Sequence, residues 1–403
     1  MDDILSQGED REPSPWPRRL AVIAALIAVV AGGAVYLARP GPRPAEATSH
    51  PTSATASRPP LQTGPDVLSL PPEPSGIAGP TLAWDRSLRL PASGAQPAWF
   101  SPASGRSERI AGLPADRFGY QFTRVVGGWA VQASAAPPAG CGGCAGSPAP
   151  VWFLADGGHS VSRVGTASLV APAATAGAVW LTSYPPGVSM TSAAGTAWEA
   201  SSRGPLTRPV RLPGGYLIDQ GTDHGLLLAP LGLPPGAAAY KLWDPSAPRA
   251  SRTFTRVLAA SPGEVAWTSA CALTCSVRTL NLATGKQAAV ALPAGSAASS
   301  GTFSPDGRFL ALQVSFGNSG DGGELSTQLE VAPAGGSRLT IVPGTGASSD
   351  ALVGFGWPAG ADSLVVELSF TTKTQLASWD PGASHPAVAD IRRGGSQPSL
   401  VLG

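Results

Sequence analysis

The stretch Gly301–Val314, GTFSPDGRFLALQV, holds a tight turn between two apolar runs. Pro305 presets φ for a turn, Asp306 can bond its own backbone, and Gly307 tolerates positive φ. Phe309 to Val314 should therefore return antiparallel to the residues before Ser304 as a β-hairpin. The returning strand is continuously apolar instead of alternating, which marks a strand covered on both faces. A lone hairpin offers only one such cover, so the question is whether the unit repeats.

It does. VLAASPGEVAWTS from Val257 has the same layout with the turn Ser261-Pro262-Gly263, and LVGFGWPAGADSLVVELSF from Leu352 has it with a longer turn. Looser copies begin at Leu169 (LVAPAATAGAVWLTS) and Tyr216 (YLIDQGTDHGLLLAP). A second pattern, a strand with Trp or Leu, a short Gly/Pro turn and a further strand, begins at Ala98, Val151, Ala197, Tyr240, Arg278, Gln328 and Leu376. Its seven copies recur every ~37 to 52 residues, near the period of a four-stranded propeller blade. Each unit then reads as strands a-b followed by c-d, whose flat faces are covered only when neighbours stack on both sides.

SPDGRFLALQ and its degenerate sisters resemble the WD40-like and TolB-like β-propeller repeats of bacteria, over roughly Thr81 to Leu402. The resemblance implies fold and carries no activity. The first unit has only TLAWD (Thr81–Asp85) ahead of its c-d pair, and SLVLG (Ser399–Gly403) lies beyond the last unit. Pairing the two closes a ring. The expected fold is all-β, a seven-bladed propeller over residues 81–403, with six blades as the alternative and a two-sheet sandwich as the rival architecture.

Composition fits this. The 403 residues include 50 Gly and 42 Pro, only 13% are charged, and the net charge is +1 with no basic block, which excludes a nucleic-acid backbone as partner. Lysine is confined to Lys241, Lys286 and Lys373, a bias of high-GC, actinobacterial type with no mechanistic weight.

Leu20–Ala38 (LAVIAALIAVVAGGAVYLA) is 19 residues without a charge, enough at ~1.5 Å per residue to span a hydrocarbon core of about 30 Å. A cleaved signal peptide is the rival, but the run is long for one and Tyr36-Leu37-Ala38 is a poor cleavage site. Arg11, Arg18 and Arg19 on one side are matched by Arg39, Arg43 and Arg58 on the other. The pair abutting the span favours a cytoplasmic segment 1–19 and an extracytoplasmic remainder. Residues 39–80 carry eleven prolines and few large apolar side chains, the composition of a semi-extended tether.

Four cysteines fall as Cys141-Gly-Gly-Cys144 and Cys271-Ala-Leu-Thr-Cys275. Both pairs lie in b-c loops of well-separated units, so local disulfides in an oxidising compartment are expected over one four-Cys zinc site or a redox CxxC. FGNSGDGGE (Phe316–Glu324) looks like a protease or cation loop, but Ser319 has no partner among His50, His159, His224 and His385, and the acids lack Ca²⁺-loop alternation. Asp306 and Gly307 are adjacent, unlike the Asp box of sialidase-type propellers. No HExxH, P-loop or dinucleotide motif occurs, so no cofactor, metal or catalytic residue is assigned and the chain is expected not to be an enzyme. The Trp series Trp99, Trp152, Trp198, Trp243 and Trp379 is assigned to packing between units rather than to a ligand cage.

What remains is the loop face. The b-c loops vary most, and variable loops on a rigid frame are where specificity is placed. The expected function is a monomeric, membrane-tethered binding module for a protein or envelope glycan, with Phe316, Asn318, Asp321 and Glu324 as candidate binding residues. An anti-sigma-like sensor using residues 1–19 as a docking peptide is one alternative. A propeller hydrolase or lyase using Asp219, Asp223 and Glu264 is the other.

Overall fold

The computed structural model describes residues 81–85, 97–101, 106–114, 119–134, 144–231, 239–247, 251–268, 276–316, 326–348, 352–358, 362–369, 374–391 and 398–401. The span Leu20–Ala38 and the tether 39–80 lie outside them. No helix among the described residues is long and apolar enough to cross a membrane; the regular structure there is strand throughout.

The strands β1 (Thr81–Asp85), β2 (Ala98–Ser101) and β3 (Arg106–Arg109) begin one sheet. The next holds β4 (Tyr120–Val125), β5 (Gly128–Ala133), β6 (Ala149–Ala155) and β7 (Val161–Ala167), and the third β8 (Leu169–Pro172), β9 (Ala178–Ser183), β10 (Thr196–Ser201), β11 (Gly204–Pro205) and β12 (Val210–Arg211). The fourth holds β13 (Tyr216–Thr222), β14 (Gly225–Pro230), β15 (Tyr240–Trp243) and β16 (Arg252–Phe254); the fifth β17 (Arg256–Ala260), β18 (Glu264–Thr268), β19 (Ser276–Asn281) and β20 (Gln287–Ala291). The sixth holds β21 (Ser296–Phe303), β22 (Phe309–Phe316), β23 (Ser326–Pro333), β24 (Thr340–Ile341) and β25 (Ala347–Ser348), and the last consecutive sheet β26 (Leu352–Gly356), β27 (Leu364–Ser369), β28 (Thr374–Trp379) and β29 (Ala387–Ile391). Finally β30 (Pro398–Val401) pairs antiparallel with β1, from Leu82 opposite Val401 to Asp85 opposite Pro398. Six sheets are thus sequential, and a further one, in the order β3-β2-β1-β30, pairs Thr81–Asp85 with the C-terminal strand, the pairing expected from the sequence.

Successive sheets stack through apolar faces. Trp99, Ile110 and Leu113 pack on Tyr120, Trp129 and Trp152. Val125, Val151 and Ala167 meet Val179 and Leu181, and Trp180 and Ala197 meet Ile218, Leu226 and Trp243. Leu227 and Phe254 meet Val265 and Leu280; Leu258, Val277 and Val290 meet Leu310, Leu312 and Val314; Ala311 and Val331 meet Trp357, Val366 and Trp379. The second strand of each sequential sheet is buried on both faces, without interruption in β5 and from Leu364 to Leu368 in β27. This is the reason for the unbroken apolar runs: a strand with a sheet on either side has no solvent face to mark.

The opening hairpin is built as its residues dictate. Gly307 has φ 71°, its N–H donates to Ser304 O at 2.8 Å, and the Ser304 hydroxyl receives the Phe309 N–H at 2.9 Å. Asp306 receives the Ser304 hydroxyl at 2.6 Å and the Arg308 N–H at 3.0 Å. The hairpin β4–β5 has no Pro or Asp and no counterpart in the sequence reading; it turns on Val126 and Gly127, whose φ of 81° supplies the needed conformation.

The first strands of four consecutive sheets share a further feature. Asp219 in β13, Leu258 in β17, Ser299 in β21 and Val353 in β26 are each left over where the register with the second strand shifts by one. An extra residue bends the strand and re-aims its side chains.

Candidate functional site

In an up-and-down sheet the b-c and d-a connections leave from one end and the a-b and c-d turns from the other. Two long connections, 134–148 and 184–195, are b-c loops of neighbouring sheets. They interlock. Ala145 N–H donates to Val188 O at 3.0 Å, Gly187 N–H returns to Ala145 O at 3.2 Å, and Cys144 forms a β-bridge with Ser189. Tyr184, buried at the base of the second loop, donates its hydroxyl to Tyr216 O at 3.2 Å and so ties that loop to the d-a connection beyond it. Burial pushes its phenol above the ordinary value. The loop face is therefore stiffened by backbone pairing between sheets over this sector.

The predicted site residues divide. Cys144 is disulfide-bonded and stands in this interlocked loop; Cys141, Cys271 and Cys275 lie outside the described residues, in the b-c connections where the sequence puts them. Asn318, Asp321 and Glu324 also lie outside. Phe316 is a correction. It ends β22 opposite Ser326, is 1% exposed, and belongs to the apolar cluster of Leu258, Ala298, Val314 and Leu310. Its ring fills the interface between two sheets and is not available to a ligand. The Trp series behaves as expected: Trp99, Trp152, Trp243 and Trp379 are buried and Trp198 is half-buried, each inside an inter-sheet cluster.

The acids stay scattered. Asp219 sits at its bulge, open to water on one side while surrounding protein pushes its carboxyl up to about 6. Burial and the Asp219 charge raise the nearby Tyr240 phenol, against the opposing pull of Arg256. Arg256 in turn donates to Ser299 O, the bulge residue of the next sheet, at 3.1 Å. Asp223 lies in the β13–β14 turn, its N–H donating to Pro262 O at 3.0 Å, and Glu264 begins β18 beside Asn281 at 3.4 Å. Burial raises Glu264, partly offset by that amide. Asp306 is a turn-former: slight burial acts upward, but the hydrogen bonds from Ser304 and Arg308 outweigh it and hold the carboxyl at about 2. His159, His224 and His385 lie in turns of three different sheets. No group of three metal-ligating side chains occurs among the described residues.

Two cavities escaped the sequence. One of about 290 Å3 is lined by Ser300, Gly301, Gln313, Leu352 and Phe355, between the β21–β25 and β26–β29 sheets. The other, about 390 Å3, holds the buried pair Gln328 and Glu330. β23 reads STQLEVAP, half polar along its length, so Gln328 and Glu330 carry no local mark of burial.

No protein-family model and no curated protein matches the sequence. Solved structures similar to the chain include TolB from Acinetobacter baumannii, at 9% identity and TM-score 0.45 over 82% of this chain and 68% of that one. A prolyl endopeptidase is similar at 13% and 0.47 over 77% and 47%, and an acylaminoacyl peptidase at 8% and 0.46 over 74% and 48%. The chain spans about half the length of the two peptidases. These are likenesses of fold. They also correct the expectation that the chain is not an enzyme: peptidases are among the similar structures, and one ring can carry a binding face or accompany a catalytic centre, so a missing motif sets nothing apart.

Proposed function

We propose that the chain is a single-pass, membrane-tethered, extracytoplasmic propeller that binds a protein or envelope-glycan partner through its b-c and d-a loop face. One topological observation carries the reading. β1 is the second strand of its sheet and runs antiparallel to β30, so whatever precedes Thr81 joins the ring at the a-b turn end. The interlocked loops 134–148 and 184–195 leave from the opposite end. A tether built from residues 39–80 then holds the ring by one face and presents the other outward, which is the arrangement a surface-bound receptor needs. Leu20–Ala38 is the anchor, residues 1–19 are cytoplasmic, and Cys141 pairs with Cys144 and Cys271 with Cys275 to pin the two loops in an oxidising compartment.

The test replaces residues 134–148 and 317–325 by short Gly/Ser loops in the full-length chain. Capture of purified cell-wall sacculi and of envelope proteins should fall to background while the chain still melts in one cooperative transition, at a temperature lowered by the loss of the Ala145–Val188 pairing. Capture retained by the loop-replaced chain refutes the reading. Release of the full chain from membranes by carbonate would refute the anchor separately.

A further inference from the structure

The larger cavity lies between the outer strands of the β17–β20 and β21–β25 sheets, from the d-a connection at Leu292 and Pro293 to the c-d turn at Ser337–Leu339. Gln328 and Glu330 are alternate residues of β23, so both project from one face of the strand. They are 1% and 2% exposed. Gln328 Nε2 donates to Glu330 Oε1 at 3.0 Å, and among the described residues this is the side-chain partner of a group with room for about four. No ion pair reaches the carboxylate among the described residues. Burial raises its pKa, only partly offset by the Gln328 amide. The surrounding walls are apolar, from Leu292 and Pro293 after β20 to Leu339 and Ile341 across from them. The open side is marked by the exposed Ser337 and Arg338.

A carboxylate in such a place is costly to the fold, because burial strips its water and one amide does not replace it. An apolar side chain would satisfy the packing of β23 with less loss. A cavity of about 390 Å3 is also in the range that holds small ligands, and its shape is the common one of apolar walls with few polar groups. What fits is a molecule that brings hydrogen-bond donors and positive charge to the carboxylate and a short hydrocarbon body to the walls.

We propose that this cavity is a binding site for a primary ammonium carried on a short aliphatic body, with Glu330 accepting the ammonium, Gln328 holding the carboxylate in place, and Leu292, Leu339 and Ile341 covering the hydrocarbon. The same chemistry belongs to a free alkylamine and to an aliphatic amino acid, whose own carboxylate would meet Arg338 at the rim.

Titration calorimetry of the full-length chain with isopentylammonium chloride and with leucine tests this. Saturable one-site binding is expected for at least one probe, weakened tenfold or more in Glu330→Gln, which keeps the shape and removes the charge. Tighter binding of leucine that Arg338→Ala abolishes identifies the amino acid as the source; tighter binding of isopentylammonium, insensitive to Arg338→Ala, identifies the amine. Absence of saturable binding by either probe, or equal binding by Glu330→Gln, overturns the proposal. If Glu330→Gln does not fold, Ser337→Trp fills the open side without touching the carboxylate; it must abolish binding, and binding retained there overturns the proposal equally.

Discussion

Replacing Phe316 by Ala separates a ligand-contacting ring from a structural one. The side chain is 1% exposed, and its neighbours Leu258, Ala298 and Val314 come from two sheets. Those neighbours sit on paired strands that cannot close over the space left behind. Truncation of a buried Phe of this kind costs about 3–5 kcal/mol, the lost transfer energy plus the cavity. For residues 81–401 at about 2.1 cal/mol/K per residue, the unfolding entropy is roughly 0.7 kcal/mol/K, so the melting temperature should drop by about 4–7 °C. The measurement is calorimetric melting of the full-length chain beside partner capture at 20 °C, where the variant remains folded. Capture should be unchanged once scaled to the folded fraction. A melting temperature within 1 °C of wild type together with lost capture would refute the placement and return Phe316 to the loop surface.

Gly307 stands at φ 71° with nothing within 4 Å of an added Cβ, so Gly307→Val should cost only the conformational strain, roughly 1–2 kcal/mol, read as a lowered urea midpoint. Asp306 is depressed to about 2 from 3.8, so its contribution is present above pH 4 and lost as pH falls through that window; the side chain is 36% exposed, which limits it to roughly 0.5–1 kcal/mol, and Asp306→Asn should flatten the acid limb of stability against pH. Asp219 has the opposite sign. Raised to about 6, it binds protons more tightly in the fold than in the unfolded chain, so stability falls as pH rises from about 4 to 6, and Asp219→Asn should raise the melting temperature at pH 7 and leave it unchanged at pH 3.5. Ending the chain at residue 397 removes β30 and bares an edge of β1; loss of the single cooperative transition and early proteolysis near Thr81 are expected, and an unaltered melt would mean the ends do not close the ring.

The fold was legible wherever turn chemistry was explicit. Ser304-Pro305-Asp306-Gly307 names its own hairpin, and the apolar runs behind such turns name strands that are covered twice. The β4–β5 hairpin was missed because its local signal is the Gly127-Gly128 pair alone, without the Pro or Asp that marks the other turns. Phe316 was misplaced for a related reason. The Gly-rich segment after it reads as loop from its first residue, yet pairing of β22 with β23 continues to Phe316 opposite Ser326. The four bulges are hidden because YLIDQGT, RVLAA, SAASSGTF and LVGFG do not alternate, so the change of phase that one extra residue brings has no regular pattern to interrupt. Glu330 was illegible because its burial is imposed from the neighbouring sheet, by Leu292 and Pro293, more than thirty residues away in sequence.

The way the ends meet bears on how a tethered ring would carry force. β1 lies between β30 and β2 and is paired on both sides, so it is not an edge. Tension on residues before Thr81 acts along the strand and loads both rows of pairs together in shear; an edge strand pulled sideways would open one pair at a time. One of those rows is supplied by the four residues Pro398–Val401 of β30. If the ring is tethered through residues 39–80 as proposed, the β1–β30 pairs resist that pull as well as covering an edge of β1.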